Sequence, residues 1–454
     1  MRIQRSKWMP WLLAILILGT VLRLVWIYNV NTQPISDFKH YHDLALSVLQ
    51  RGTYELPEGL DYIKADTPYI KTGEHYPTAF RPPGYPLFLA AIYAVWPNIL
   101  AAKLANVAMS ILWMLAMFAL GKKYASERTG LWAAFLTAIF PAAISYTSVL
   151  SAEIISVSLV MSILSVHAYK PGPLWLRSIL LGLAAGFLAL VKPYYIALPA
   201  LYFLLVWWQA GNARFVYDWR LGVKKGLLGM CALILGMVII ISPWTIRNIH
   251  VLHRFVPIST NGSFVLYINN NDLATGKYMD AMKVPGSIFK TDQVVDANGN
   301  YNESDAMKLA GVEAKKWMMS HPVETVILGF KRLTLSYTQV GSEVWEWTMS
   351  KAHVRIGANT TALVVQAHRL SGLVAVGAGL LYALLMLWRF LWRKPIQELD
   401  GIILLFTMFY TAVIFASEGQ PRYTYTLYPF LLLSIVCLSM KLNQATTLPD
   451  NPHD

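Results

Sequence analysis

Ten apolar runs punctuate the chain, at 8–30, 99–121, 130–148, 152–169, 176–191, 194–209, 226–243, 371–393, 399–417 and 425–441. Each approaches the roughly 17–25 residues a helix needs to cross a hydrocarbon core. Composition agrees: 56% of the residues are hydrophobic and 14% charged, against about 25% charged in ordinary soluble domains. A soluble chain of 454 residues with so few charges could not cover its surface. A cytoplasmic enzyme, a disordered protein and a secreted disulfide scaffold are therefore excluded. Cys231 and Cys437 both lie in apolar runs and read as small buried hydrophobes. The expected fold is an α-helical polytopic membrane protein of about ten transmembrane helices with interfacial helices beside them.

Charge tests that assignment. The net charge is +13, and no nucleic-acid-binding signature accompanies it, so the positives read as loop bias and contact with anionic lipids. With the N-terminus inside, inner loops carry Lys122, Lys123 and Arg128, then Lys170 and Arg177, then Arg214, Arg220, Lys224 and Lys225, then Arg389, Arg393 and Lys394. Short outer loops carry only Lys192 and Arg422. The run 86–96 is half the spanning length and ends at Trp96-Pro97. Counting it as a span would invert every later loop, so it reads as a re-entrant or interfacial helix. Arg2, Arg5 and Lys7 before the first run, without an A-x-A cleavage site, read as an uncleaved signal anchor.

Two long outer segments remain, 29–98 and 244–370. The second is polar, with Asn269-Asn270-Asn271-Asp272, a turn at Asp296-Ala297-Asn298-Gly299-Asn300 and an amphipathic stretch at 305–319. The expected divisions are a membrane module over 1–243, an outer domain over 244–370, further spans over 371–442 and a tail over 443–454.

In the first outer loop, 36–52 reads as one helix, capped by Ser36 or Asp37, ended by Gly52, with Phe38, Tyr41, Leu44, Ala45 and Val48 on its apolar face. Asp37 is then either a cap or a carboxylate at the water–lipid boundary able to act as a general base; position alone leaves both open. Downstream, Thr78-Ala79-Phe80-Arg81-Pro82-Pro83-Gly84-Tyr85-Pro86-Leu87 places Arg81 beside a stiff turn. Glu153 opens an apolar run, where an acidic group is costly and marks either a headgroup-zone cap or a functional site. Lys192 interrupts an apolar hairpin, and like Arg247 and Arg422 reads either as a lipid-headgroup contact or as a phosphate ligand.

The ordered set of these features resembles the GT-C superfamily of membrane glycosyltransferases, and within it bacterial family-39-like proteins related to protein O-mannosyltransferases and lipid A aminoarabinose transferases. It comprises an acidic residue after the first span, an amphipathic helix, Arg81-Pro82-Pro83-Gly84-Tyr85-Pro86, and Ser151-Ala152-Glu153. Ser242-Pro243-Trp244-Thr245-Ile246-Arg247-Asn248, Ser259-Thr260-Asn261-Gly262-Ser263-Phe264 and Pro421-Arg422-Tyr423 follow in order. The resemblance implies a GT-C membrane module with a smaller mixed α/β outer (periplasmic) domain in a bacterial inner membrane. It implies inverting transfer of a sugar from a polyprenyl-phosphate donor of the undecaprenyl-phosphate type. The acceptor would be a cell-envelope molecule, whether lipid A, O-antigen, a wall polymer or protein.

In that scheme Asp37 is the base and Glu153 a second catalytic carboxylate. Arg81, Lys192, Arg247, Arg422 and Tyr423 bind the donor phosphate and lipid, while Tyr41, Tyr85, Asn261 and Asn270 face sugar or acceptor. Asp37, Glu153 and His40 are the donors available to a divalent cation, and the sequence leaves metal dependence open. A transporter or flippase of the same lipids is the alternative, for which internal repeats and midplane charges would be expected.

Overall fold

The computed structural model describes residues 7–57, 75–211, 218–294, 302–350 and 352–446. Arg2, Arg5, Arg214, the turn at 296–300 and the last eight residues of the tail lie outside them.

Among the described residues eight helices are long and apolar enough to cross a membrane. A bent pair, Glu127–Ile139 and Pro141–Ser148, meeting at 61°, is long and apolar enough only when taken together, which makes eight or nine spans against the ten expected. The run at 194–209 becomes the 14-residue helix Leu198–Gly211 behind a 3₁₀ turn, Pro193–Ala197. Every apolar run thus has its helical element, and the chain is a multi-pass membrane protein. The half-length run forms Gly84–Val95, only 12 residues. The divisions expected at 243/244 and 370/371 both fall inside continuous helices, Trp219–Leu252 and Ala358–Leu391.

The bend between this pair has a chemical cause. Pro141 has no N–H to give the carbonyl of Thr137, so the helix opens there. In an apolar setting the freed carbonyls need other donors. Arg23, fully buried in the helix Met9–Asn29, supplies them: its guanidinium donates to Thr137 O at 3.1 Å, Ala138 O at 2.9 Å, Gly19 O at 2.8 Å and Ser110 Oγ at 2.6 Å. The arginine pins three helices at a proline break.

Small residues set other close contacts. Helices Leu174–Val191 and Trp219–Leu252 touch at Gly182 and Gly236, where an added Cβ would lie 2.2 Å from Leu233 O and 2.3 Å from Ile179 O respectively. Gly84 presses against the backbone of Leu190 and Val191, where a Cβ would fall at 2.7 Å. That approach lays the Arg81 turn against the helix end just before Lys192.

The amphipathic helix of the first loop is Ser36–Arg51, burying Phe38, Tyr41, Leu44 and Ala45 and closing on left-handed Gly52 (φ 68°). Its cap differs from expectation: Ile35 is the N-cap residue, no side chain caps it, and Asp37 sits in the first turn. The outer segment is helical, with Asn261–Asn269, Glu303–Ser320 and Pro322–Thr338. Its expected β component is limited among the described residues to His353–Val354, which pairs antiparallel with Val30–Asn31. A second ladder, Glu55–Pro57 with His75–Pro77, belongs to the first loop. Leu44, Tyr54 and Phe80 of that loop share one apolar core with Phe264, Ile268, Phe289, Ala306 and Met307, so the two outer segments fold as one body over the helix ends.

Arg23→Leu is expected to leave the two carbonyls beside Pro141 unpaired, at about 1–3 kcal/mol for each buried group. Thermal unfolding in detergent should show a clearly lowered midpoint, with Arg23→Lys recovering part of it. An unchanged midpoint in Arg23→Leu would refute the bracing role.

Candidate active site

Five charged side chains from five distant stretches meet at one end of the bundle. Asp37 accepts from Arg81 Nη2 at 2.5 Å and from Arg422 Nη2 at 2.9 Å. Glu153 accepts from Lys192 Nζ at 3.0 Å, and its Oε1 lies 3.7 Å from Arg422 Nε. Arg422 therefore bridges the two carboxylates. The first turn of the Ser36–Arg51 helix presents Asp37; the first turn of Ala152–Tyr169 presents Glu153. Helix N-termini favour negative charge, which suits both placements. Lys192 stands where Leu174–Val191 ends, because Pro193 stops the helix there. Arg422 lies on the 3₁₀ turn Pro421–Leu427, its guanidinium 4.9 Å from the Trp347 ring and 5.5 Å from Phe38.

The loop carrying Arg81 is held from behind. Buried Glu303 accepts from Thr78 Oγ1, from Ala79 N at 3.0 Å and from Thr260 Oγ1 at 3.0 Å. Arg247 donates to Thr78 O at 2.9 Å and Tyr54 O at 3.0 Å while lying over Trp244. Arg81 also donates to His40 Nδ1, with Nε at 3.3 Å.

A cavity of about 620 Å³ opens on this cluster and counts Asp37, Tyr41, Arg81, Glu153, Lys192, Arg422 and Tyr423 in its wall. One side is apolar, from Val191, Pro193, Tyr194, Val413 and Ile414; the other is polar, from Ser259, Asn261, Ser263 and Lys315 of the outer segment. Counting the wall's charged groups, two carboxylates face Arg81, Lys192, Lys315 and Arg422, an excess of two positive charges at neutral pH. Burial pushes the Asp37 carboxyl up, but the guanidiniums of Arg81 and Arg422 outweigh it and hold it well below the usual carboxylate range. Asp37 is ionised and, so held, a weak base.

Most of the sequence-derived residues converge here; three do not. Arg247 braces two backbone carbonyls and is absent from the cavity wall. Asn270 is buried, accepting from Arg332 Nη2 at 2.9 Å, and borders a separate cavity with Asp272 and Trp317. Tyr85 is buried behind Tyr41, edge to face at 5.3 Å. The candidate metal donors Asp37, Glu153 and His40 do not make a ligand set as arranged. Both carboxylates are engaged by cationic side chains, His40 Nδ1 by Arg81, and no group of three His, Cys, Asp or Glu among the described residues is placed to hold an ion.

Two residues were not anticipated. Lys315 lies in the amphipathic stretch 305–319, from which the sequence singles out no site residue. Glu418 is buried between the helix Glu398–Ala416 and the Arg422 turn, accepting from Gln420. An acidic residue at the end of an apolar run, four places before Arg422, was the available signal.

Burial raises the Glu418 carboxyl to about 7, offset in part by Arg422. Burial likewise lifts Glu343 to about 7. A carboxyl raised in the folded state contributes stability that is complete below its unfolded value, about 4.3, and is lost as pH climbs through about 7. The melting midpoint should therefore rise as pH falls from 8 to 6, and Glu418→Gln should flatten part of that slope. Identical slopes in wild type and variant would contradict the assignment.

No protein-family model matches the sequence, and no curated protein does. Solved structures do. The oligosaccharyltransferase of Archaeoglobus fulgidus in complex with Zn and sulfate aligns over 96% of this chain and 49% of its own, with TM-score 0.53 and 14% identity. AglB of the same organism, with an inhibitory peptide and a dolichol-phosphate, aligns over 98% and 53%, with TM-score 0.51 and 13% identity. ArnT from Cupriavidus metallidurans bound to undecaprenyl phosphate aligns over 96% and 79%, with TM-score 0.39 and 14% identity. The chain spans about half the length of the archaeal structures. Over that half it shares the fold of these archaeal oligosaccharyltransferase structures.

Proposed function

We propose that this GT-C-fold chain is an inverting glycosyltransferase that moves a sugar from a polyprenyl-phosphate donor to a cell-envelope acceptor, at the outer face of a bacterial inner membrane, with Asp37 as general base. The observation carrying this reading is the cavity that joins an apolar wall to Asp37, Arg81, Glu153, Lys192 and Arg422. An isoprenoid chain suits Val191, Val413 and Ile414, and its phosphate suits the cations next to them. The dolichol-phosphate bound to the archaeal AglB supports a lipid phosphate in this role.

The chemistry needs little more. The acceptor oxygen or nitrogen forms a bond to the anomeric carbon from the face opposite the phosphate. The carbon–oxygen bond to phosphate breaks, its electron pair stays on the departing polyprenyl phosphate, and the acceptor proton passes to Asp37. Arg81, Lys192 and Arg422 stabilise the charge that develops on the leaving group. Tyr423 borders the same phosphate end. Glu153 keeps Lys192 and Arg422 in place. Tyr41 and Asn261 line the cavity where the sugar and acceptor would meet.

Asp37 and the donor phosphate compete for the same guanidiniums. As phosphate draws Arg81 and Arg422 away, the force depressing Asp37 weakens and its basicity returns toward an ordinary carboxylate. Donor binding thereby activates the base. Glu153, Lys192 and Arg422 stand at the ends of apolar helices rather than midway along them, which favours surface chemistry over transport of the same lipids.

Purified protein given labelled polyprenyl-phosphate sugar and candidate acceptors should transfer label. Asp37→Asn should transfer about 10²–10⁴-fold more slowly, the usual cost of losing a general base, with the fold checked by its melting midpoint. Arg81→Gln should weaken donor binding. Equal transfer by wild type and Asp37→Asn would defeat the base assignment. Lipid movement across vesicles without transfer would favour a flippase.

A further inference from the structure

A second cavity, about 700 Å³, borders another flank of the helix Ser36–Arg51. Asp37 and Tyr41, one turn apart, face the active-site cavity. His42 and Leu46, also one turn apart, face this one. Its remaining wall comes from the end of Met9–Asn29, from Asn31 and Gln33, from Tyr93, from the start of Ile99–Tyr124 and the two residues before it, and from Arg355.

Charge makes this cavity selective. Among the described residues its lining contains Lys103, Arg355 and the imidazole of His42, and no Asp or Glu. Lys103 is 2% exposed, yet among the described residues it has no carboxylate partner. Its Nζ donates to Asn31 Oδ1 at 3.0 Å and to Thr32 O at 2.8 Å. An ammonium has three N–H donors, so one remains for an occupant. Elsewhere in the bundle Lys192 and Lys441 each rest on a carboxylate, at 3.0 Å and 2.9 Å. Arg355 is fixed beside the opening by its own N–H to Asn29 O at 2.9 Å and by its guanidinium over Tyr28, 4.4 Å from the ring centre. A buried cation without a counter-ion is costly, so the site calls for an anion.

The opening is apolar. Leu24 and Leu100 line the cavity and are exposed on two apolar helices, so it faces lipid rather than bulk water. A free phosphate would leave that flank unused, and a zwitterionic lipid would bring its own cation against Lys103 and Arg355.

We infer that this cavity holds the phosphate headgroup of an anionic phospholipid, with Lys103 and Arg355 on the phosphate and an acyl chain along Leu24, Leu100 and Leu104. The occupant touches the helix that carries Asp37, and so steadies the base from outside the active site. Binding itself does not depend on the transferase reading.

The test uses the full chain in phosphatidylcholine nanodiscs doped with phosphatidylglycerol, with retained lipid counted by native mass spectrometry. Wild type should keep one phosphatidylglycerol in preference to phosphatidylcholine. Arg355→Gln, at an exposed position, should lower phosphatidylglycerol affinity about fivefold, the effect of one basic group near an anionic headgroup. Lys103→Met should do the same or more. Leu104→Trp should expel the lipid by filling the cavity without altering charge, which keeps the test valid if Lys103→Met folds poorly. Equal retention of both lipids by wild type overturns the inference, as does unchanged phosphatidylglycerol retention in both Arg355→Gln and Leu104→Trp.

Discussion

The chain of ion pairs from Arg81 through Asp37, Arg422 and Glu153 to Lys192 is the constraint on which the remainder of the site depends. Charges at the end of an apolar bundle are tolerable only in company, and removing one member strands its partner in a poorly solvated place. Because Asp37 and Arg422 are 385 residues apart, their pairing fastens the first outer loop to the entry of the last apolar helix. Glu153 and Lys192 fasten the middle of the chain to the same point. Packing then serves that alignment: Gly84 lets the Arg81 turn approach the Lys192 helix end, and Glu303 ties the same turn to the outer segment.

Much of this was legible in the sequence because membrane physics is strict. Apolar length marks the spans, the sidedness of Lys and Arg orients them, and an acidic residue at a span boundary demands a reason. Asp37, Glu153, Lys192 and Arg422 all stood out on that ground. Arg81 stood out through the rigid Pro-Pro-Gly turn after it. What sequence could not distinguish was an arginine that meets a ligand from one that meets the backbone. Arg247 and Arg422 look alike in one dimension. The irregular chain around Tyr54 and Thr78 leaves carbonyls without ladder partners, and Arg247 serves those. Asn270 is drawn in the same way to Arg332. The Ser36 or Asp37 cap failed because the helix already begins at Ser36, which puts Ile35 at the cap position and leaves the Asp37 carboxylate to Arg81 and Arg422.

Fold and chemistry rest on different grounds here. The structural likeness to archaeal oligosaccharyltransferases fixes the arrangement of helices at 13–14% identity, and a fold hosts many reactions. The case for glycosyl transfer comes from the cavity's own composition. A groove that is purely apolar would suit any lipid; a purely cationic one would suit any anion. The combination, with a carboxylate held between the cations, suits a lipid phosphate whose departure must be balanced by proton removal nearby.

That carboxylate also explains why the site need not be permanently reactive. Under the proposed reaction, a base kept far below its ordinary range by two arginines deprotonates an alcohol or amine poorly until donor phosphate draws those arginines away. A guanidinium pairs with phosphate as readily as with carboxylate, so a donor phosphate competes with Asp37 for Arg81 and Arg422. In the proposed scheme the exchange couples occupancy to basicity through the two arginines that hold Asp37. The helix Ser36–Arg51 is then the element whose position matters most. It carries Asp37 on one flank and borders a second, cation-lined cavity on another, so a lipid bound as inferred would touch the helix that presents the proposed base.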